Sequence, residues 1–198
     1  IICIDNNYGK KIIKSIKNKN EIKTVSINNK KADFYASNII YSNKGIKFTI
    51  NSRYGTNDVS TKIYGEFSII NILTAIATLT TSKSNFIELT NNISKLKSVN
   101  GRMNKFHKNG YPITFVDFAH TPEAAKLVIN SIKKHFPKKK VVTIFGCGGE
   151  RDNKKRKKMG KIISKISDEI IITNDNPRNE CQDKITKDII LGIENKKK

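Results

Sequence analysis

The stretch Glu169-Ile170-Ile171-Ile172-Thr173-Asn174-Asp175-Asn176-Pro177-Arg178 decides the fold class, because an apolar run ends there in a sharp polar corner. Residues 169–173 predict a buried strand, and in an open α/β sheet ligands bind beyond the carboxyl ends of the strands. Pro177 fixes its own φ and disfavours helix at Asn176, so we expect a stiff corner. Arg178 offers a planar guanidinium suited to a carboxylate. For these residues alone, the alternative interpretation is an ordinary strand-to-helix turn with a solvated arginine.

Strand and helix alternate three times in the second half of the chain, which predicts parallel βαβ units with right-handed crossovers. The predicted strands are residues 113–119, 140–145 and 169–173, and the helices that follow them are residues 122–136, 154–167 and 182–193. Thr121 is the expected N-cap of the first of these helices, and Pro122 occupies its first position.

The first half predicts short strands and one clear apolar helix, with the change to the second half at residues 100–103. Turn residues at Asn43-Lys44-Gly45 and at residues 54–58 predict that three of the strands form an antiparallel meander. The predicted strands are residues 1–4, 39–41, 45–50 and 60–63, and the predicted helices are residues 10–16, 69–79 and 86–96. We expect the last residues, 194–198, to be frayed and solvated.

The formal net charge of +21 points first to a nucleic-acid partner. Specific readers of bases and phosphates rely on arginine, whereas this chain has 33 lysines and five arginines, and the lysines are dispersed. Lys, Ile and Asn share AT-rich codons, so we interpret the charge mainly as codon bias and expect no nucleic-acid partner. A non-catalytic basic nucleic-acid-binding module stays as the alternative from another functional class.

The three cysteines, Cys3, Cys147 and Cys181, are far apart in sequence and form no metal pattern, which favours a reducing compartment. No stretch is long and apolar enough to cross a membrane, and no signal-peptide pattern is present. We therefore expect a cytoplasmic protein with no membrane partner. His107 and His135 are expected at the surface, and no Ser-His-Asp or Cys-His spacing indicates nucleophilic catalysis.

Polar residues at the ends of the predicted strands are candidates for ligand binding. The glycines of Gly146-Cys147-Gly148-Gly149 let backbone N–H groups approach an anion at a helix N-terminus, and Arg151 favours an anionic group; a tight turn is the alternative. Asp117 is expected to accept hydrogen bonds from ribose hydroxyls and His120 to contact a base or a proton-bearing group, unless the pair forms only a helix cap. Asn71 lies in an apolar helix, so we expect a buried amide that pairs with a structural partner or with an adenine edge.

Five motifs occur in a characteristic order and spacing over nearly the whole chain. They are Gly65-Glu66-Phe67-Ser68-Ile69-Ile70-Asn71, Gly101-Arg102-Met103, Asp117-Phe118-Ala119-His120-Thr121-Pro122, Gly146-Cys147-Gly148-Gly149-Glu150-Arg151-Asp152 and Asp175-Asn176-Pro177-Arg178. Together they resemble the Mur ligases, and most of all the branch that adds the third residue of the peptidoglycan peptide. The resemblance implies an α/β fold: residues 1–100 as the end of a central ATPase domain, and residues 101–198 as a Rossmann-like, parallel-sheet C-terminal domain truncated at its C-terminus.

The resemblance also implies two groups of site residues, together with ATP and Mg²⁺ as cofactors. The residues expected to bind meso-diaminopimelate are Arg151, Asp175, Asn176, Pro177 and Arg178, with Arg178 on a carboxylate. The residues expected around ATP are Asn71, Arg102, Asp117 and His120, with Asn71 toward the base and Arg102 toward the phosphates. The implied reaction phosphorylates the γ-carboxylate of the D-glutamyl residue in UDP-N-acetylmuramoyl-L-alanyl-D-glutamate, after which the diaminopimelate amine attacks the acyl phosphate.

Some parts of the family pattern do not occur in this sequence. The Gly-Lys-Thr phosphate loop and the Gly-Lys-Gly-His-Glu segment are missing, and Ser68 stands where the family commonly has Asn. We therefore expect no catalytic residue or metal ligand within the chain, and we expect the isolated chain to be an inactive monomer. A folate polyglutamating ligase of the same superfamily is the alternative enzyme, and it is disfavoured by Asp-Asn-Pro-Arg and Gly-Cys-Gly-Gly.

Overall fold

The computed structural model describes residues 1–16 and 22–194 of the 198-residue chain. The chain divides into two compact units, with the boundary between Val99 and Asn100. The expected fraying of residues 195–198 lies outside the described residues. No helix in the described ranges is long and apolar enough to cross a membrane.

The first unit is a mixed five-stranded sheet packed against a helix. Its elements in chain order are β1 (Ile2–Cys3), α1 (Asn7–Ser15), β2 (Thr24–Ser26), β3 (Phe34–Ser42), β4 (Gly45–Ser52), β5 (Gly55–Thr61), α2 (Glu66–Leu79), α3 (Lys83–Asn91) and a short 3₁₀ helix, Ile93–Lys95. The strands are ordered β1-β2-β3-β4-β5; β1, β2 and β3 run parallel, and β3, β4 and β5 run antiparallel. The predicted meander is therefore confirmed, whereas β2 was not predicted.

The predicted turn at residues 54–58 is wrong. Ser52 pairs with Gly55, so the loop consists of only two residues, and residues 55–58 already belong to β5. Two-residue loops match the twist of the flanking strands, and the left-handed φ of +140° at Gly55 lets the chain turn back at once. The hairpin between β3 and β4 has the same length, because Ser42 pairs with Gly45, in agreement with the prediction.

Helix α2 buries one face against the sheet, and Asn71 is not on that face. The buried positions of α2 recur every three or four residues and are Ser68, Ile69, Ile72, Leu73, Ile76 and Ala77. They pack in one core with strand residues such as Phe34, Phe48 and Ile50. Position 71 falls off this stripe and is exposed. The expectation of a buried amide at Asn71 is therefore wrong.

The second unit contains four strands and three helices within the described residues. In chain order they are β6 (Asn104–Phe106), β7 (Thr114–Val116), α4 (Pro122–His135), β8 (Val142–Phe145), α5 (Lys154–Ile166), β9 (Glu169–Ile172) and α6 (Gln182–Ile190). The parallel unit β8-α5-β9 is confirmed. Strand β7, however, pairs antiparallel with the unpredicted β6, so among the described strands the crossover through α4 does not join a parallel pair.

Strand β7 is shorter than predicted because Asp117 ends it. The Asp117 carboxylate accepts hydrogen bonds from the backbone N–H groups of Ala119 and Met103. Side-chain bonds of this kind compete with the strand ladder. The predicted cap of α4 is confirmed, since Thr121 Oγ1 accepts from the Ala124 N–H at 3.2 Å.

The core of the second unit lies between α4, α5, α6 and the inner side chains of β8 and β9. Its buried members include Ile129, Met159, Ile163, Ile185 and Ile189.

His135, which was expected at the surface, is only 4% exposed. It lies one helical turn after the buried Ser131, on the inner face of α4. The surface expectation for His135 is therefore wrong.

Candidate functional site

Two loops leave the same edge of the β8–β9 pair. We call residues 146–153 the glycine loop and residues 174–180 the Asp-Asn-Pro-Arg loop. Strands β8 and β9 are parallel and in register from Val142 opposite Glu169 to Phe145 opposite Ile172. Because both carboxyl ends lie at one edge, the loops that follow them are neighbours.

The backbones of the two loops are in direct contact. The Gly149 N–H donates to the carbonyl oxygen of Asn176 at 2.9 Å. A Cβ atom on Gly149 would lie 1.8 Å from the Pro177 carbonyl oxygen, and one on Gly146 would lie 2.4 Å from the Thr173 carbonyl oxygen. Both glycines are therefore required for the close approach of the two segments. This packing explains the glycines structurally, in addition to the predicted approach of backbone N–H groups to an anion.

The Asp-Asn-Pro-Arg loop is tied together by its own side chains. Asp175 Oδ1 accepts from the Asn176 N–H at 2.7 Å, and Asn176 Oδ1 accepts from the Arg178 N–H at 3.1 Å. Arg178 has a left-handed φ of +52°, an uncommon value for a residue other than glycine. These local bonds hold the corner in one conformation.

The Arg178 guanidinium reaches back over the glycine loop. Its Nη1 donates to the Gly149 carbonyl oxygen at 2.6 Å. Within the described part of the chain its Nη2 and Nε atoms make no hydrogen bond, and the residue as a whole is exposed. One edge of the fork is thus anchored while the rest is available to an anion.

Glu150 joins the glycine loop to the Asp-Asn-Pro-Arg loop a second time. Its N–H donates to Glu180 Oε1 at 2.5 Å, and its Oε1 accepts from Asn179 Nδ2 at 2.8 Å. Glu150 also has a left-handed φ, +50°. The exposed Arg151 follows directly. Arg151 and Arg178 are therefore carried by two loops that are bonded to each other at several points.

Arg156, one turn inside α5, is a site residue that the sequence did not reveal. Its side chain is completely buried. Nη1 donates to Asp188 Oδ2 at 3.0 Å, and Nη2 donates to Glu180 Oε1 at 3.0 Å and to the Gly148 carbonyl oxygen at 3.3 Å. Nη1 also lies 2.8 Å from Glu180 Oε2.

The charges of Arg156 and Glu180 stabilise each other. The Arg156 guanidinium, together with the Glu150 N–H, lowers the pKa of the Glu180 carboxyl below its usual value. The hydrogen bond to Glu180 raises the pKa of Arg156. Arg156 stands among lysines in Lys154-Lys155-Arg156-Lys157-Lys158, and being the one arginine of that run is the signal that could have identified it.

The corner after β7 gathers three of the residues that were predicted around ATP. Asp117 Oδ2 accepts from the Met103 N–H at 2.9 Å, and the Phe118 N–H donates to the Gly101 carbonyl oxygen at 2.9 Å. Arg102 Cζ lies 5.7 Å from the centre of the Phe118 ring. Gly101 must be glycine, because its φ is +71° and a Cβ atom would lie 2.5 Å from that ring.

His120 closes the same corner and connects it to α5. Its Nδ1 lies 3.0 Å from the Phe118 carbonyl oxygen, and its own carbonyl oxygen accepts from Lys155 Nζ at 3.2 Å. Arg102, Asp117 and His120 thus form one cluster. Asn71, the fourth residue predicted around ATP, belongs to the first unit.

The described residues contain no metal centre, and the thiol in the glycine loop is not activated. No group of three or more His, Cys, Asp or Glu side chains within residues 1–16 and 22–194 could hold a metal ion. Cys147, in the glycine loop, is buried, and burial raises the pKa of its thiol. A protonated, enclosed thiol is a poor nucleophile.

Comparisons with known proteins place both units in one family. The family model described as "Mur ligase middle domain" matches residues 1–79, and the one described as "Mur ligase, glutamate ligase domain" matches residues 101–197. A solved UDP-N-acetylmuramoyl-L-alanyl-D-glutamate–2,6-diaminopimelate ligase is 30% identical with a TM-score of 0.59 over 98% of this chain and 40% of that one. A Thermotoga maritima folylpolyglutamate synthase, 20% identical with a TM-score of 0.66 over 96% of this chain and 44% of its own, shares the fold.

Two curated relatives carry the same name as that diaminopimelate ligase. The one from Wigglesworthia glossinidia brevipalpis is 44% identical over 98% of this chain and 40% of its own length. The one from Buchnera aphidicola subsp. Schizaphis graminum is 41% identical over 100% of this chain and 41% of its own length. The chain thus spans about two fifths of the curated relatives that it matches. The chain belongs to the Mur ligase family.

Proposed function

We propose that this chain is the part of an ATP-dependent amide ligase that binds meso-diaminopimelate for its addition to UDP-N-acetylmuramoyl-L-alanyl-D-glutamate. The observation that carries the proposal is the bonded pair of loops that bears Arg151 and Arg178. The Gly149 N–H to Asn176 carbonyl bond and the Arg178 Nη1 to Gly149 carbonyl bond hold the loops together.

Arg178 accounts for the choice of an amino acid with a second carboxylate. Arg178 keeps unpaired donors that match a carboxylate in fork geometry. The Arg178 N–H and the Asn176 side chain fix the corner that presents this fork. The Asp175 carboxylate, which uses Oδ1 for the Asn176 N–H, can accept a hydrogen bond from the ligand ammonium group through its other oxygen.

The Asp117 corner has the properties expected of a nucleotide subsite. Each Asp117 oxygen accepts one backbone N–H, so each keeps a further acceptor position for a ribose hydroxyl. We assign Arg102 to the phosphates and Asn71 to the base, with His120 beside the nucleotide. ATP, when bound, supplies the phosphoryl group that converts the γ-carboxylate of the D-glutamyl substrate into an acyl phosphate.

Mg²⁺, which the family implies, finds no set of ligands among the described residues, so we assign no step of the reaction to a metal in this chain. The contribution of these residues is to hold the diaminopimelate amine in attack geometry, a positioning effect that lowers the barrier without any covalent step. We further propose that the chain is cytoplasmic and monomeric, and that it does not catalyse the ligation by itself.

Calorimetric titration of the chain with meso-diaminopimelate tests the substrate. We expect saturable binding, and binding of L-lysine weaker by about 10-fold or more, because lysine lacks the second carboxylate and leaves an Arg178 hydrogen bond unmade. The variant Arg178→Ala should bind the two amino acids equally weakly, while the exposed Lys158→Ala on α5 serves as the control. Equal affinity of the unmodified chain for both ligands would contradict the proposal.

A coupled assay of ADP release tests the proposal that the chain does not catalyse the ligation by itself. The chain, incubated with ATP, Mg²⁺, UDP-N-acetylmuramoyl-L-alanyl-D-glutamate and meso-diaminopimelate, should release no more ADP than the reaction without protein. Ligation above that background would show that the chain alone is a complete ligase.

A further inference from the structure

The buried guanidinium of Arg156 has hydrogen-bond partners that indicate a role in the candidate site, in addition to any role in stability. A fully buried charge is costly unless it is paired and hydrogen-bonded. Arg156 is 0% exposed, and within the described residues nothing accepts a hydrogen bond from its Nε. A buried ion-pair network that served stability alone could be replaced as a whole by well-packed apolar residues that avoid this cost, so the acceptors that Arg156 reaches indicate its role.

Those acceptors lie on three different segments. Asp188 is on α6, and an ion pair with it would be enough to fasten α5 to α6. The other two partners, the Gly148 carbonyl and the Glu180 carboxylate, belong to the two loops of the candidate site. One guanidinium thus joins both loops to the helical layer beneath them.

Glu180 connects Arg156 to the glycine loop through hydrogen bonds. Its Oε1 accepts from Arg156 Nη2 at 3.0 Å and from the Glu150 N–H at 2.5 Å. Glu150 has a φ of +50°, a conformation that costs free energy and persists only where its surroundings enforce it. The Glu180 contact enforces it, and Glu180 is in turn held by Arg156.

The segment Gly149–Glu150 is shared by both arginines that we assign to the ligand. Arg178 Nη1 donates to the Gly149 carbonyl oxygen, and Arg151 is the next residue after Glu150. A shift of this segment therefore moves both guanidinium groups together.

We propose that Arg156 is a positioning residue of the amino-acid site, which acts through Glu180 and the Gly148 carbonyl to hold the Gly149–Glu150 segment where Arg151 and Arg178 meet the ligand carboxylate. The inference rests on the function proposed above. Arginine is needed because its two terminal nitrogens, held apart in one planar group, reach acceptors on three segments, whereas the three donors of a lysine ammonium radiate from a single atom.

Amide hydrogen exchange in the ligand-free chain tests the positioning directly. In Arg156→Lys the positive charge remains but the fork is lost, so we expect the Glu150 and Gly149 amides to exchange about 10-fold faster or more. The amides of Ile163 and Ile189, in the core below, should keep their rates. The control is the reciprocal exchange on the exposed face of the same helix, Lys158→Arg, which should change neither group.

Titration with meso-diaminopimelate provides the functional readout. At a temperature where both variants are folded, Arg156→Lys should raise the dissociation constant about 10-fold, and Lys158→Arg should leave it unchanged. In the Arg178→Ala background the same Arg156→Lys change should have a smaller effect, because residues that act through one element are not additive. A purely structural Arg156 would give an equal effect in both backgrounds.

The two readouts separate the inference from the proposed function. If the Gly149 and Glu150 amides of folded Arg156→Lys exchange as in the unmodified chain, or if the effects on binding are additive, Arg156 is not a positioning residue and the inference is overturned. If the unmodified chain does not bind meso-diaminopimelate, the assigned ligand is wrong, and faster exchange at Glu150 in Arg156→Lys still supports the positioning of the loop.

Discussion

Two polar corners of the second unit are held in place by different means. At the end of β7, Asp117 closes the corner with its own carboxylate, which accepts the N–H groups of Met103 and Ala119. At the end of β9, the corner is held from below by Arg156, whose partner Glu180 reaches across to the Glu150 N–H. The first corner is closed by bonds between residues 2 and 14 positions apart, next to the β6–β7 pair, whereas the second depends on a buried side chain of α5 and on bonds between residues 24 and 30 positions apart. The comparison teaches that similar sequence signals can rest on bonds of very different range.

The largest expected effect comes from removing the long-range bond. Arg156→Met leaves Glu180 and Asp188 without their cation, and breaking a buried ion pair on one side costs about 3 to 5 kcal/mol. Because the side chains of Glu180 and Asp188 are 19% and 29% exposed and can be hydrated, we expect a value near the lower end. Urea unfolding of the chain measures it. A loss below about 1 kcal/mol, the range of an exposed ion pair, would mean that the second corner does not depend on Arg156.

Gly149→Ala breaks the contact between the two loops directly. The added Cβ would meet backbone atoms of Pro177, which cannot rotate away, so we expect a loss of about 1 to 3 kcal/mol. Gly110→Ala is the comparison variant: nothing lies within 4 Å of its added atom, so its cost comes only from its left-handed φ of +83°, which Gly149 does not share. Thermal unfolding should rank Gly149→Ala as the more damaging change, and the reverse ranking would contradict the close approach of the loops.

Asp117→Asn tests the locally closed corner. The amide keeps one acceptor oxygen but turns a donor toward the other N–H, so either Met103 or Ala119 loses its partner, at a cost of about 1 kcal/mol at this half-buried position. NMR shifts should change at residues 101–103 and 117–120 and stay the same in the Asp-Asn-Pro-Arg loop. Shifts that spread to that loop would show that the two corners are not independent.

Acid should act on the second corner through Glu180, with the smallest effect of the four. The pKa of Glu180 is lowered in the folded chain, so its contribution to stability is present above the unfolded-state value of about 4.3. That contribution is lost as the pH falls through the lower folded-state pKa. The unfolding free energy, measured from pH 7 to pH 3, should fall more steeply for the unmodified chain than for Glu180→Gln, and identical slopes would refute the linkage.

The sequence predicts those parts of the fold that depend on neighbouring residues. Thr121 and Pro122 predict the start of α4, and the apolar runs before residues 146 and 174 predict β8 and β9. Strand β6, by contrast, is three residues long and has no alternating apolar pattern, so only its pairing with β7 defines it. The side of α2 that faces the sheet is likewise set by packing, which is why Asn71 is exposed rather than buried.

In the candidate site too, the sequence identifies residues that stand in short motifs better than residues whose partners are distant. Arg151 and Arg178 stand in short motifs, so the sequence singles them out as candidates. Arg156 stands out only as the one arginine of a lysine-rich run, which is ordinarily a solvated helix face. Its partners Glu180 and Asp188 are 24 and 32 residues away, so the sequence near Arg156 does not show what it bonds. Contacts between distant positions leave no local pattern.

Because α5 packs closely against α6, the size of the residue at position 160 affects the distance between Arg156 and Asp188. Gly160 lies one helical turn after Arg156, and a Cβ atom there would come within 2.1 Å of the Ile189 carbonyl oxygen. Any side chain at 160 must therefore push α6 away and carry Asp188 out of reach of the guanidinium. The missing methyl group of Gly160 sets the distance between the helices, so a substitution at position 160 is expected to weaken the Arg156–Asp188 ion pair without changing either partner.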